Sequence, residues 1–551
     1  MKRNGLLLPA TAFMLLSGVP QVAAAQSQIP QADAQDAGRA GSGQVDLTPY
    51  IEASQVLSAQ LSPGDDVVTW TQLAAGVDAA ISGRNNAAGV SLRYERRIGY
   101  GDVRDSDTLS GVARASVGLV PGNVTLDAGA LAARTSIGQG GSANLTNFRD
   151  VGNTSQIYSV FAGPSFQAAA GDVAVQGGYH VGYSRVESPD AIVAAPGAPA
   201  VDVFDESVTH DAQLRASTRP GTVLPVGLGV GGGWREQEVS NLDQRVRDRH
   251  LRADVTVQLD YDFAVIGGVG YEDVEVSSRD AVRDVQGNPV SGPDGRFITD
   301  KSAPRSIAYE TDGLIWDAGV LWRPSTRTSI SATVGRRYGS MTYYGALSYQ
   351  PTVRSSLTLT AYDNITNFGG VLVDNLSALP TDFDAFRNPI SGDLTPCVNS
   401  TEGNNCALGG IGSVRSAVFR NRGAAASYAV NAGRTGFGFA AGFDRRKFIA
   451  AADTVLADLN GVVDESVWAA AFFNQQLDAR SGINANALIN WFEGGRGEEG
   501  SATGYSASLS YYRNLLAGLS GTAAVGLDGI TRDALPDYQA ASALLGLRYS
   551  F

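Results

Sequence analysis

Sulfur and imidazole are scarce in this chain of 551 residues, which holds two cysteines, three methionines and three histidines. Two cysteines exclude a small disulfide-built scaffold and a multi-thiolate metal cluster. Long apolar runs are also scarce. Beyond the N-terminus no apolar run approaches about 20 residues, which excludes a polytopic helical membrane protein. Basic clusters are missing as well: 42 Lys and Arg stand against 55 Asp and Glu, a formal net charge of −13. That balance excludes nucleic acid as the partner. What the chain does have is 66 glycines and 43% hydrophobic residues, enough apolar mass to exclude disorder.

The N-terminus carries Lys2 and Arg3, an apolar stretch of about 14 residues, and the small-residue exit Ala23-Ala24-Ala25. This is the pattern of a secretory signal peptide (1–25) cleaved after Ala25, with Ala23 and Ala25 as the recognised small residues. Loss of Lys2 and Arg3 takes the formal charge from −13 to −15. Residues 26–45, small and polar, read as a flexible periplasmic lead-in.

From residue 46 to 551 the dominant signal has period two. In LRADVTVQLDYD (251–262) Leu251, Ala253, Val255, Val257 and Leu259 share one face, while Arg252, Asp254, Thr256 and Asp260 share the other. Residues 328–338, 356–362, 483–491 and 505–512 repeat the alternation. Short links near 121–123, 170–172, 219–225, 324–326, 351–353, 432–434, 479–481 and 514–518 alternate with longer polar ones. The longest of these fall near 278–311 and 367–419. Tight turns at one end and long loops at the other are the asymmetry of a membrane barrel. The expected fold is all-β: a single transmembrane antiparallel up-and-down β-barrel of about 22 strands (18–24), with no N-terminal plug domain. An even strand number puts both termini in the periplasm of a Gram-negative cell.

The last residues alternate Leu545, Leu547, Tyr549 and Phe551 against Gly546, Arg548 and Ser550. In this the sequence resembles bacterial outer-membrane proteins as a class, and the resemblance implies handling by the barrel-assembly machinery and periplasmic chaperones. Further upstream stand Trp322-Arg323-Pro324, Arg327-Thr328-Ser329 and Arg336-Arg337-Tyr338-Gly339. These tandem hairpins resemble the PEP-CTERM/exopolysaccharide-associated outer-membrane barrels, which implies an association with surface polysaccharide. Barrels with an opening like LTPYIEASQVL (47–57) sometimes carry the name preprotein translocase subunit YajC. True YajC chains are short with one inner-membrane helix, which nothing here matches.

Chemistry-bearing residues are few. His210 and Asp211 are adjacent on a strand and point to opposite faces. Ser184 follows His180 by four residues, about 13 Å along a strand and too far for general-base contact. His250 and Asp248 read as a solvated rim pair. No enzyme, metal site or cofactor is expected. Cys397 and Cys406 read as a disulfide pinning the 367–419 loop. GLGVGGG (227–233) lies in an alternating stretch, so it reads as strand glycines in tight lumen contact and not as a nucleotide loop. The acidic loop 280–300 lacks spaced calcium ligands and reads as solvated.

The polar-face charges Arg93, Glu95, Arg114, Arg252, Asp254, Asp260, Asp262, Asp317, Arg323, Arg337 and Arg548 are expected to face the lumen. In lipid each would cost about 2–4 kcal/mol near the midplane. A barrel of this width needs a plug or leaves a channel. TonB-dependent transporters of this size place a plug before the barrel, and strands here start too early for one. The functional expectation is therefore a passive channel or export conduit, with surface polysaccharide as candidate cargo. The alternative is a structural or surface-interaction barrel whose lumen is closed by its own side chains and by the 278–311 and 367–419 loops. Expected partners are outer-membrane lipid and lipopolysaccharide.

Overall fold

A computed structural model describes residues 44–101, 103–137, 143–144, 154–188, 191, 202–400, 411–495, 501–533 and 536–551. The signal peptide with Ala23 and Ala25, most of the lead-in, and Cys406 lie outside the described residues.

The strands follow the alternating segments. The first are β1 (Gln44–Ser62), β2 (Val67–Ser82), β3 (Asn86–Gly99), β4 (Ser106–Val120) and β5 (Val124–Ile137). A two-residue β6 (Ala143–Asn144) sits on the end of β5. Then come β7 (Thr154–Ala170), β8 (Val173–Glu187), β9 (Glu206–Thr218), β10 (Gly227–Val239), β11 (Gln244–Gln258) and β12 (Phe263–Ser278). They continue as β13 (Ser306–Ser325), β14 (Thr328–Arg337), β15 (Ser340–Thr352) and β16 (Ser355–Thr366). A helix α1 (Phe368–Ser377) and a hairpin of β17 (Asp384–Arg387) and β18 (Leu394–Asn399) intervene. The ring resumes with β19 (Phe419–Ala432), β20 (Thr435–Phe448), β21 (Val463–Gln476), β22 (Ser481–Glu493), β23 (Ser501–Leu516), β24 (Leu519–Arg532) and β25 (Tyr538–Ser550).

Each strand pairs antiparallel with the next, and β1 pairs with β25 from Tyr50↔Ser550 to Ser62↔Gln539. Setting aside β6, the sheet of 23 strands is a closed ring of 22. Closure matters because an unpaired backbone edge has no water to bond with in hydrocarbon. The outward face is apolar around the ring: Leu251, Val269, Leu314, Val525 and Leu545 are each more than half exposed. Aromatic side chains mark both ends of this band. Trp322, Tyr349, Tyr511, Tyr549 and Phe551 are exposed at the end that carries the termini, and Tyr94, Tyr271 and Tyr343 toward the other. An apolar, aromatic-girdled exterior on a closed barrel places the chain in the outer membrane. Leu545, Leu547, Tyr549 and Phe551 all lie on that exterior.

Two expectations about connections need correction. The external link between β14 and β15 is a two-residue turn, Tyr338-Gly339, with both φ values positive (54° and 65°). A mirror-image turn of this kind matches the twist of the strands it joins, so no long loop is needed. The second correction is larger: residues 367–400 do not project outward but fold into the barrel, and 411–418 pack against its external connections. Residues 279–305 remain an external loop, pinned by isolated bridges Ala281↔Thr299 and Ser291↔Phe297.

The two faces differ sharply in what they tolerate. Leu509→Arg, outward at mid-strand in β23, is expected to lower unfolding stability in vesicles by about 2–4 kcal/mol. Asn484→Arg, inward on the paired strand, is expected to cost less than half as much; urea titration of tryptophan fluorescence reads both.

Candidate functional site

The lumen is where the sequence departs from simple alternation. On β4, β5 and β7 the inward positions include Val112, Leu131, Ile157 and Phe161, all nearly or fully buried. Apolar side chains on the inner face have nothing to gain from water, and here they receive α1. The helix starts at Asn367, whose side-chain oxygen accepts from the Gly370 N–H at 2.9 Å. It lays Phe368, Leu372, Val373 and Leu376 against that patch and against Phe204. Each fully buried side chain of this size contributes about 1.5–3 kcal/mol. Two glycines make the approach possible. A Cβ on Gly182 would stand 2.6 Å from Val373 Cγ2, and one on Gly129 would stand 3.2 Å from Leu376 Cγ.

Polar contacts fix the rest of the segment. Arg114, expected in the lumen, donates to the Leu379 and Ser377 carbonyls at 3.2 and 3.4 Å. It thereby caps the helix C-terminus, where a cation meets the negative end of the dipole. Arg235 donates to both carboxylate oxygens of Asp374 at 2.9 and 2.8 Å. Arg134 pairs with Asp393 at 2.8 Å, and Arg387 donates to the hydroxyls of Ser110 (2.7 Å) and Ser91 (3.1 Å). Gln72 donates to the Ile390 carbonyl at 2.7 Å. Across the lumen Phe386 stacks on Phe472 of β21 with centroids 4.6 Å apart. Cys397 is buried beside Ala440 and Trp468. The segment therefore touches the wall from β2 to β5, from β7 to β10, and at β20 and β21. A cavity of about 40 Å³ remains between the hairpin and β20–β23, among Asn388, Thr395, Ala470 and Asn486.

Of the other expected lumen charges, Arg252, Asp254, Asp317 and Arg337 lie in two ion networks on the wall. In one, Arg215 grips Asp254 through both oxygens (2.6 and 2.8 Å), and Arg252 bridges Asp254 to Asp317. In the other, Arg337 bonds Asp248 (2.6 Å) and Glu272 (3.2 Å), and the Tyr338 hydroxyl donates to Asp248 at 2.9 Å. His250 lies 3.6 Å from Asp248 inside this cluster, so the pair is buried and not the solvated rim pair expected. Gly229 and Gly233 of the glycine-rich stretch leave room for Arg215 and His250. Arg93 joins Glu52 and Glu95, and Arg548 pairs with Asp78 and covers the Tyr50 ring. Arg323 shares the inward face near the periplasmic end of β13.

Asp260 and Asp262 are the exceptions. They sit in the turn between β11 and β12, where Asp262 accepts from Trp322 Nε1 at 3.3 Å. The alternation runs past the strand end there, so the sequence pattern continues where the wall does not. His210 faces outward between Tyr179 and Trp234, stacked at 6.1 Å from each. Among the described residues no group of three or more His, Cys, Asp or Glu could hold a metal. Cys397 is not a free thiol, and its expected partner Cys406 falls outside the described residues.

A lumen crossed by its own chain corrects the expectation of a passive conduit for polysaccharide. Several solved structures are similar in outline. The FrpB iron transporter from Neisseria meningitidis is 10% identical, covering 92% of this chain and 81% of that one at a TM-score of 0.42. The siderophore receptor PiuA from Acinetobacter baumannii is 8% identical over 91% and 82% (TM-score 0.39). The ferric-catecholate import receptor Fiu from E. coli is 11% identical over 91% and 81% (0.40). No family model matches, and no curated protein matches. The resemblance to PEP-CTERM/exopolysaccharide-associated barrels thus gains no support.

Above the lumen the external connections interlock. Arg296 of the 279–305 loop donates to the Val186 carbonyl (2.7 Å) and the Phe204 carbonyl (3.1 Å). Asp202 accepts from Ser416 Oγ and from Asn241 Nδ2. Burial pushes the Asp202 carboxyl up to about 6, against the pull of these hydrogen bonds and of Arg296.

Three outcomes follow from these contacts. Arg337→Met leaves Asp248 and Glu272 buried without their cation and is expected to cost about 3–5 kcal/mol in urea unfolding. Gly182→Leu is expected to dislodge α1 while the ring stays folded, so that trypsin cuts at Arg387 in the variant and spares it in the parent. For Asp202 the folded carboxyl holds a proton that the unfolded one has lost between pH about 4 and 6. Cap stability therefore falls as pH rises through that window. Hydrogen exchange at Ser416, corrected for intrinsic rate, is expected to be slower at pH 5 than at pH 7, and Asp202→Asn to remove the difference.

Proposed function

We propose that this chain is a ligand-gated outer-membrane transporter whose gate is the 367–418 segment. One observation carries the reading. Thr366 and Phe419, which flank the segment, are direct cross-strand partners in β16 and β19. The insertion therefore leaves from and returns to one point on the external rim. It can swing out without breaking the strand ladder, releasing the side-chain contacts of Arg114, Arg134, Arg235, Arg387 and Gln72 and the Val203↔Arg415 bridge to the external connection.

Its attachments suit a gate. The apolar seat of α1 gives a defined closed position, while Arg235–Asp374 and Arg134–Asp393 are contacts that a polar ligand entering from outside can replace. The expected Cys397–Cys406 bridge, as part of this proposal, keeps the moving hairpin together. Delivery through periplasmic chaperones and the barrel-assembly machinery rests on the C-terminal strand ending in Tyr549 and Phe551.

Planar-bilayer recording tests the gate. The intact protein is expected to show no stable openings in salt. A variant with 368–417 replaced by a four-residue linker is expected to show large stable ones while keeping its heat-modifiable gel mobility. A folded but silent linker variant would sink the reading, and so would an intact protein that conducts equally.

A further inference from the structure

Among the described residues, charges on the outward face of the barrel cluster near its external rim, and there the pairing differs between two sectors. On β10–β13 the basic residues stand opposite acids: Glu236↔Arg247, Glu238↔Arg245, Arg247↔Glu275 and Arg249↔Asp273. That sector neutralises itself. On β19 and β20 the register sets like against like: Arg420↔Lys447 and, one row below, Arg422↔Arg445. Like charges directly opposite on a sheet destabilise it.

Two carboxylates offset part of this. Asp363 on β16, itself fully buried, accepts from Arg420 Nε (2.6 Å) and Arg422 Nε (2.9 Å). Glu465 on β21 pairs with Arg445 at 3.0 Å. Arg420 also reaches Ser340 Oγ and the Met341 carbonyl, next to the cross-strand pair Arg336↔Met341. Arg336 and Lys447 are exposed. Three cations thus pair with two acids, and Arg336 and Lys447 add two exposed charges to the same outward patch, with Glu493, opposite Glu465, at its margin.

The level of the patch is fixed by the same register. The next rows toward the periplasm hold Ala424↔Phe443, Ala426↔Ala441 and Tyr428↔Phe439, with Phe443 and Phe439 exposed to lipid. The cations therefore stand where the apolar band ends on the outer leaflet, at headgroup depth. Guanidinium groups match phosphate oxygens in geometry, and a surplus of cations there attracts anionic headgroups. We propose that Arg336, Arg420, Arg422, Arg445 and Lys447 form a docking site for the phosphorylated headgroup of an outer-leaflet glycolipid.

The full-length protein, refolded in detergent, is titrated with rough lipopolysaccharide, with the same lipid after phosphatase treatment, and with inorganic phosphate. The readout is the midpoint temperature of the heat-induced gel shift. The phosphorylated lipid is expected to raise it at least tenfold more tightly than the dephosphorylated one. The double variant Arg336→Gln with Lys447→Gln touches neither ion-paired carboxylate and is expected to bind about thirtyfold more weakly, since each headgroup-level cation contributes roughly 1 kcal/mol. Arg247→Gln, at the same level in the self-neutralised sector, is expected to bind as the parent does. Equal binding of both lipids, equal loss in Arg247→Gln, or no loss in the double variant would each overturn the proposal. A full shift with inorganic phosphate alone would overturn the lipid assignment in favour of a free anion.

Discussion

In hydrocarbon every backbone N–H and C=O must find its partner within the protein. For a chain of alternating strands that constraint has one solution, the pairing of β1 with β25 that closes the ring. Closure at 22 strands then fixes the rest. A ring of that size encloses more space than wall side chains alone can fill. The interior must hold water or chain, and here it holds chain.

The source of that filling is unusual in sequence position. It comes from a connection between adjacent strands, tethered at Thr366 and Phe419. The wall is asymmetric to match. β4–β8 offer an apolar seat for α1, β9–β14 carry ion networks, and β20–β23 present alanine, serine and asparagine toward a small residual cavity. Seated on an apolar patch on one side and beside a small cavity on the other, the segment has the layout that the proposed gate requires. The outer surface follows a separate logic: Arg420, Arg422, Arg445 and Lys447 accumulate where the lipid headgroups begin.

Much of this was legible in the residues. The period-two segments gave the strands, because inside and outside alternate with the pleat. The polar faces holding Arg93, Arg252 and Arg337 do line the interior. Three things were not legible. Asp260 and Asp262 continue an alternating pattern past the end of β11, and pattern alone carries no marker for where hydrogen bonding stops. The inward path of residues 367–400 stands in the sequence only as the alternative of a barrel closed by its own loops, because the segment is polar and glycine-containing like any external loop. The clue lay elsewhere, in Val112, Leu131, Ile157 and Phe161 at positions that water should have made polar. Nor does a single strand show the Arg420↔Lys447 and Arg422↔Arg445 pairs, which arise only from register.

Occupation of the lumen by residues 368–400 is the claim on which the gate depends. Hydrogen exchange of the folded barrel in lipid nanodiscs reads it directly, peptide by peptide. Amides of α1 and the β17–β18 hairpin are expected to be protected by orders of magnitude relative to the exposed turn 259–262. Exchange across 368–400 as fast as in that turn, with the strands still protected, would place the segment outside the barrel and contradict the account.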